Sequence, residues 1–126
     1  MMEIKARKQI VWTRHARAKM AFYGLSRQRV LRVLHTPRRI EDGVAPKTVA
    51  MMQPTSVKTT AGKPGVGDGP RREVWSQEIW VMIQDLGRDR KIVSAWRYPG
   101  MTKPRSREAQ VAMRQEYHEF LSAGGS

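Results

Sequence analysis

The stretch KQIVWTRHARAKMAFYGLS, residues 8–26, decides how the fold begins. Lys8-Gln9-Ile10-Val11-Trp12 is rich in β-formers and reads as a first strand. Thr13 suits an N-cap that opens a helix over residues 14–23. Gly24 suits the position just past that helix, where the backbone turns left-handed. Ser26 caps a second helix whose buried stripe is Val30, Leu31 and Leu34, and Pro37 stops it shortly after His35. A strand followed by a tight helical hairpin is therefore expected before any sheet.

Downstream the pattern changes to strands. Residues 47–52 form one candidate, followed by residues 54–70, which hold four Gly and three Pro and read as a long loop. Residues 72–75, 79–83 and 91–98 are further strands, and the short breaks between them suggest an antiparallel meander. In the last strand, strict alternation sets Ile92, Ser94, Trp96 and Tyr98 against Val93, Ala95 and Arg97. A final helix is expected from Ser106, with Ala109, Met113, Tyr117, Phe120 and Leu121 at core spacing, ending in a flexible Gly124-Gly125-Ser126 tail. The expected class is α+β: an N-terminal strand and helical hairpin on a three- or four-stranded antiparallel sheet, plus a C-terminal helix. That divides the chain into a basic domain over residues 1–103, with a flexible loop at 54–71, and a helix and tail over 104–126.

The 126 residues suffice for one modest core. Lys and Arg number 24 against 11 Asp and Glu, for a formal net charge of +13. The excess is uneven, since residues 1–39 hold eleven bases and a single acid, Glu3. A basic surface drawn from one segment is the footprint of a polyanion site, because each cation placed on a phosphate releases a condensed counterion. There is no cysteine, and His15, His35 and His118 have no ligand spacing, so neither a metal nor another cofactor is expected. No apolar run approaches a bilayer span and no signal-peptide core is present, so the expectation is a cytoplasmic protein without a membrane partner. The Gly-rich GKPGVGDG lacks the Gly-Lys-Ser/Thr ending of a phosphate-binding P-loop.

The segment from His15 to Ser26 resembles a family of small bacterial domains with the signature His-Ala-x-x-Arg-Met-x-x-Arg-Gly-Ile-Ser, grouped with the RelE/ParE-like toxins. His15, Ala16, Met20, Gly24 and Ser26 agree with it, as does the closing Trp96-Arg97-Tyr98. Lys19 and Tyr23 stand where that family has Arg, and Leu25 replaces Ile. The likeness covers about residues 8–100 and leaves out the last helix. It implies a RelE-like fold and a toxin-type, metal-independent endoribonuclease acting on RNA, including RNA on the ribosome, with an acidic antitoxin as a protein partner. Relatives of the ParE type poison gyrase instead, so the fold does not assign the activity.

Metal-free RNA cleavage uses the 2′-OH as nucleophile and needs a base, an acid and cations around the phosphorane. His15 and Lys19, four residues apart, share one helix face and present an imidazole beside a cation. Arg97 and Tyr98 in the last strand complete the candidate catalytic set. Arg14, Arg17, Arg27, Arg29, Arg32, Arg38, Arg39 and Arg72 are the candidate nucleic-acid contacts. Each has a plainer reading: His15 as a helix-terminal structural residue, the cations as solvated or merely phosphate-positioning, and Trp75, Trp80 and Trp96 as core. Three functions stay open: ribonuclease, non-catalytic RNA- or DNA-binding module, or an interaction domain for an acidic protein.

Overall fold

The computed structural model describes residues 8–60 and 72–126. It is α+β, with three helices packed on a five-stranded mixed sheet. In chain order the elements are β1 (Gln9–Trp12), α1 (Arg14–Tyr23), α2 (Arg27–His35), β2 (Arg39–Asp42) and β3 (Thr48–Thr55). They continue with β4 (Lys58–Thr60), β5 (Arg72–Val74), β6 (Gln77–Leu86), β7 (Asp89–Pro99) and α3 (Arg107–Ser122).

The opening stretch folds as its residues suggest. The Thr13 hydroxyl accepts from the Ala16 amide at 3.1 Å and donates to the Ile92 carbonyl at 2.6 Å, so one side chain caps α1 and pins it to β7. Gly24 takes φ 64°, and the Leu25 amide closes back on the Met20 carbonyl at 2.8 Å, which ends the helix. Ser26 then accepts from the Arg29 amide at 3.0 Å and starts α2.

The sheet order is β1-β7-β6-β3-β2. This corrects the expected three- or four-stranded antiparallel sheet, because β1 runs parallel to β7 while the other pairs are antiparallel. The crossover from β1 to β7 spans most of the chain, and no local signal encodes it. β2 was not anticipated: Arg39-Ile40-Glu41-Asp42 has one apolar residue and becomes a strand by pairing with β3. The β2–β3 hairpin is tight at Gly43, where an added Cβ would collide with the Thr48 hydroxyl.

Two further corrections concern the segment expected as loop. Pro54 and Thr55 belong to β3, and Lys58–Thr60 forms β4, which pairs with β5 as a separate two-stranded ribbon. The expected meander therefore holds only for β6–β7, since β5 pairs with β4 and not with β6. The rest of that expected loop, residues 61–71, lies outside the described residues.

Each face of the sheet carries its own core. Ala16, Met20, Leu25, Val30 and Val33 of the helical hairpin pack with Met51, Ile79, Val81, Ile83, Ile92 and Ala95. Ala109, Met113 and Phe120 of α3 cover Ala50, Met52, Trp80, Met82, Val93 and Trp96 on the other side. Trp80 and Trp96 face each other across β6–β7 as core residues, stacked at 6.1 Å. The register shifts between Met82 and Ile83, where Val93 is left without a partner as a β-bulge. Strict alternation consequently fails there: Ile92 lies on the face opposite to Val93 and Trp96, with Ala95. Leu121, expected in the core, is 53% exposed. The expected flexible tail is tied down, since the Ser126 carbonyl accepts from the Arg14 amide at 3.0 Å and the Gly125 carbonyl from Lys91 at 3.3 Å. No helix among the described residues is long and apolar enough to cross a membrane.

Candidate nucleic-acid interface

The candidate catalytic residues do not converge: His15 and Lys19 lie against α3, Arg97 lies on the helical-hairpin side and Tyr98 on the opposite face of the sheet. His15 and Lys19 do share one face of α1, and that face meets α3. His15 is 8% exposed, and its Nε2 lies 2.9 Å from Glu116 Oε1. Ser94 donates to the same oxygen at 2.6 Å, and Lys19 Nζ lies 3.1 Å from the other carboxylate oxygen. Glu119 stands 3.8 Å from both His15 and Lys19. Burial works against the Lys19 charge, but its hydrogen bond to Glu116 and the field of Glu116, Tyr23 and Glu119 outweigh that and raise its pKa above the ordinary lysine range. Glu116 thus ties together α1, β7 and α3. His15, Glu116 and Glu119 put donor atoms within 4.8 Å of one another, a grouping that could in principle hold a cation. The Lys19 ammonium already supplies a positive charge to both carboxylates.

Arg97 and Tyr98, adjacent in sequence, point to opposite faces of the sheet. Tyr98 packs beside the α3 core and lines a cavity of about 390 Å³ with Met101, Thr102, Lys103, Ser106 and Glu108. Arg97 is on the helical-hairpin side, where its Nε donates to the Tyr23 carbonyl at 2.8 Å and a terminal nitrogen to Gln77 Oε1 at 3.0 Å.

Around Arg97 the sheet and α2 form a shelf that no local motif announces. Gln53 on β3 pairs with Ile79 on β6, which pairs with Arg97 on β7, so Gln53 and Arg97 flank Ile79 on one face. Arg29 of α2 donates to Gln53 Oε1, and the Gln53 amide donates to the carbonyls of Arg32 and Thr36 at 3.1 and 2.7 Å. Burial, then the positive charges of Arg32 and Arg97, hold the pKa of Arg29 below the ordinary guanidinium range. Among the described residues no carboxylate pairs with Arg29, Arg32 or Arg97. Gln53 and Gln77 are the participants that reading the sequence missed. Neither is charged, and only the pairing of three strands brings them beside the arginines.

The remaining candidates have varied surroundings. Arg14 and Arg17 are exposed on α1. Arg27 lies over the Trp12 ring at 5.3 Å, a cation–π contact. Arg38 pairs with Glu73 and lies 5.5 Å from the centroid of Trp75. Arg39 is a structural clamp: it donates twice to Thr102, at 2.9 Å each, and stands 3.5 Å from Glu41. Arg72, in the β4–β5 ribbon, is exposed and engaged in contacts of its own. Comparison of the chain with protein-family profiles, with curated proteins and with solved structures returns no match.

Proposed function

We propose that this chain is a nucleic-acid-binding domain of the RelE/ParE-like type, with RNA as its ligand, held through the shelf of Arg29, Arg32 and Arg97. One observation carries the reading: Arg29, Arg32 and Arg97 gather around Gln53 and Gln77 with no carboxylate among the described residues to offset their charge, and burial, then the charges of Arg32 and Arg97, lowers the pKa of Arg29. Like charges held together cost free energy, and an anion seated between them offsets it. Guanidinium groups match the geometry of phosphate oxygens, and Gln53 and Gln77 orient two of the three in advance. The exposed Arg14 and Arg17 extend the positive surface onto α1.

The surroundings of His15 favour binding over cleavage by that residue. A general base must reach the proton it removes, and the His15 ring is buried with its Nε2 bonded to Glu116. Lys19 is likewise held by Glu116, so the expected pair on one phosphate becomes a joint between α1 and α3. The RelE/ParE-like assignment draws on the resemblance of residues 13–26 and on the order of strand, helical hairpin and sheet.

Fluorescence anisotropy with a structured RNA across a salt series tests the proposal. The expected result is saturable binding that weakens steeply with salt. Arg29→Ala and Arg97→Ala should each reduce the magnitude of the salt slope by roughly 1. Incubation of the same RNA in EDTA should leave it intact. Fragments ending in 2′,3′-cyclic phosphate that vanish in His15→Ala would restore the nuclease reading. Weak, non-saturable RNA binding beside tight binding of an acidic protein would transfer the shelf to a protein partner.

A further inference from the structure

Among the described residues, Phe22 is the large apolar side chain that the fold leaves most open, at 77% exposure. It takes no part in either core. Its ring is nevertheless held in place: Tyr23 meets it edge-on with centroids 4.8 Å apart, and Lys19 Nζ lies 5.9 Å from its centroid. Lys19 is itself fixed by Glu116, so the ring rests against an ordered neighbour. Tyr23 also links Phe22 to the arginine shelf, since its backbone carbonyl accepts from Arg97. The exposed side of α1 around Phe22 carries Arg14, Arg17, Ala18 and Ala21. Arg14, Ala18 and Phe22 recur at four-residue spacing along it, about 12 Å from end to end at 1.5 Å per residue. Small side chains therefore separate exposed cations from an exposed aromatic face, with guanidinium groups at the other side of Tyr23.

We propose that Phe22 is a stacking platform for an unpaired base, so that the ligand of this surface is single-stranded nucleic acid. The inference rests on the nucleic-acid reading of the arginine shelf and narrows it. Every base has a π-face, so a lone aromatic ring beside phosphate-binding cations selects for strandedness without selecting sequence. A duplex keeps its bases stacked on one another and offers a side chain no free π-face within the stack. The charge of the surrounding surface suits a polyanion, and the ring adds what a polyanion without bases cannot use.

The test compares three probes on the intact chain: a labelled ten-nucleotide single strand, the corresponding duplex, and inorganic polyphosphate as a polyanion without bases. Phe22→Ala is expected to weaken single-strand binding roughly 5- to 150-fold, the range for one stacked base. Duplex and polyphosphate binding and the salt slope should stay unchanged, and Phe22→Trp should restore single-strand affinity. Equal losses on the single strand and on polyphosphate would overturn the proposal, because the ring would then be acting through the cations. Full single-strand affinity in Phe22→Ala would also overturn it and leave the ring to a protein contact. Wild-type protein that binds none of the three probes would overturn the nucleic-acid reading itself, a result distinct from either of these.

Discussion

Glu78 is fully buried, and its carboxylate is satisfied by four donors that carry no charge. The indole nitrogens of Trp75 and Trp80 each donate at 2.9 Å, the Thr102 amide at 2.9 Å and the Thr102 hydroxyl at 2.7 Å. Arg39 grips the same threonine from the other side, so the segment leading to α3 is fastened to the sheet. Removing the carboxylate strands several buried donors at once. Glu78→Ala should lower unfolding stability by roughly 2–4 kcal/mol in urea titrations. Asp85 makes the contrasting case near the surface. Its hydrogen bond from Arg90 outweighs partial burial and, with the charges of Arg90 and Lys8, lowers its pKa. The stability it contributes is present above its unfolded pKa of about 3.9 and is lost as the pH falls through the lowered folded value. Asp85→Asn should therefore flatten the acid limb of a stability-against-pH profile, with a cost of no more than about 1 kcal/mol at pH 7.

The elements that local chemistry marks are the ones legible in the sequence. Thr13 and Ser26 cap the helices they were expected to cap, Ser106 caps the helix expected to begin there, and Gly24 ends α1 with a positive φ. β2 and the β1–β7 pairing were not legible, because they arise from partners far along the chain. The same limit applies to α3, which lies outside the resemblance yet supplies three of the nine buried residues of one core. Met113 of α3 is fully buried against the sheet. Met113→Ala should cost about 2–5 kcal/mol through the cavity it leaves, measured by thermal or urea unfolding. Because that cavity opens on the face away from the arginine shelf, the salt slope of RNA binding should not change. Glu116 joins the same helix to His15, Lys19 and Ser94, a role invisible to spacing within α1.

Across the whole molecule, a net charge of +13 says which kind of partner to expect and not where it sits. The arginines of the N-terminal third were legible as a basic surface, but which of them are already engaged was not. Glu73, Glu116 and Thr102 decide that, and folding alone brings them to Arg38, Lys19 and Arg39. The distinction has a measurable form. Arg39→Ala should lower the melting temperature by several degrees, through loss of the Thr102 clamp, while leaving the salt slope of RNA binding unaltered. A slope that falls by about 1 in this variant would put Arg39 on the ligand instead.

The unpaired Val93 has a consequence for the end of β7. A strand shows its side chains to alternate faces, so one supernumerary residue held in a bulge shifts the parity of everything beyond it relative to plain alternation. Counted from Ile92 by plain alternation through Val93, with no bulge, Tyr98 would join the helical-hairpin side and Arg97 would turn toward α3. The bulge thus acts as a reading-frame marker written in backbone, selecting which of two neighbours the shelf receives. Deleting Val93 should close the bulge with every β6–β7 pair kept, leaving Arg97 on the shelf, Tyr98 against α3 and the salt slope of RNA binding unchanged. A ladder that ran straight through Val93 would instead spell a different surface from the same side chains.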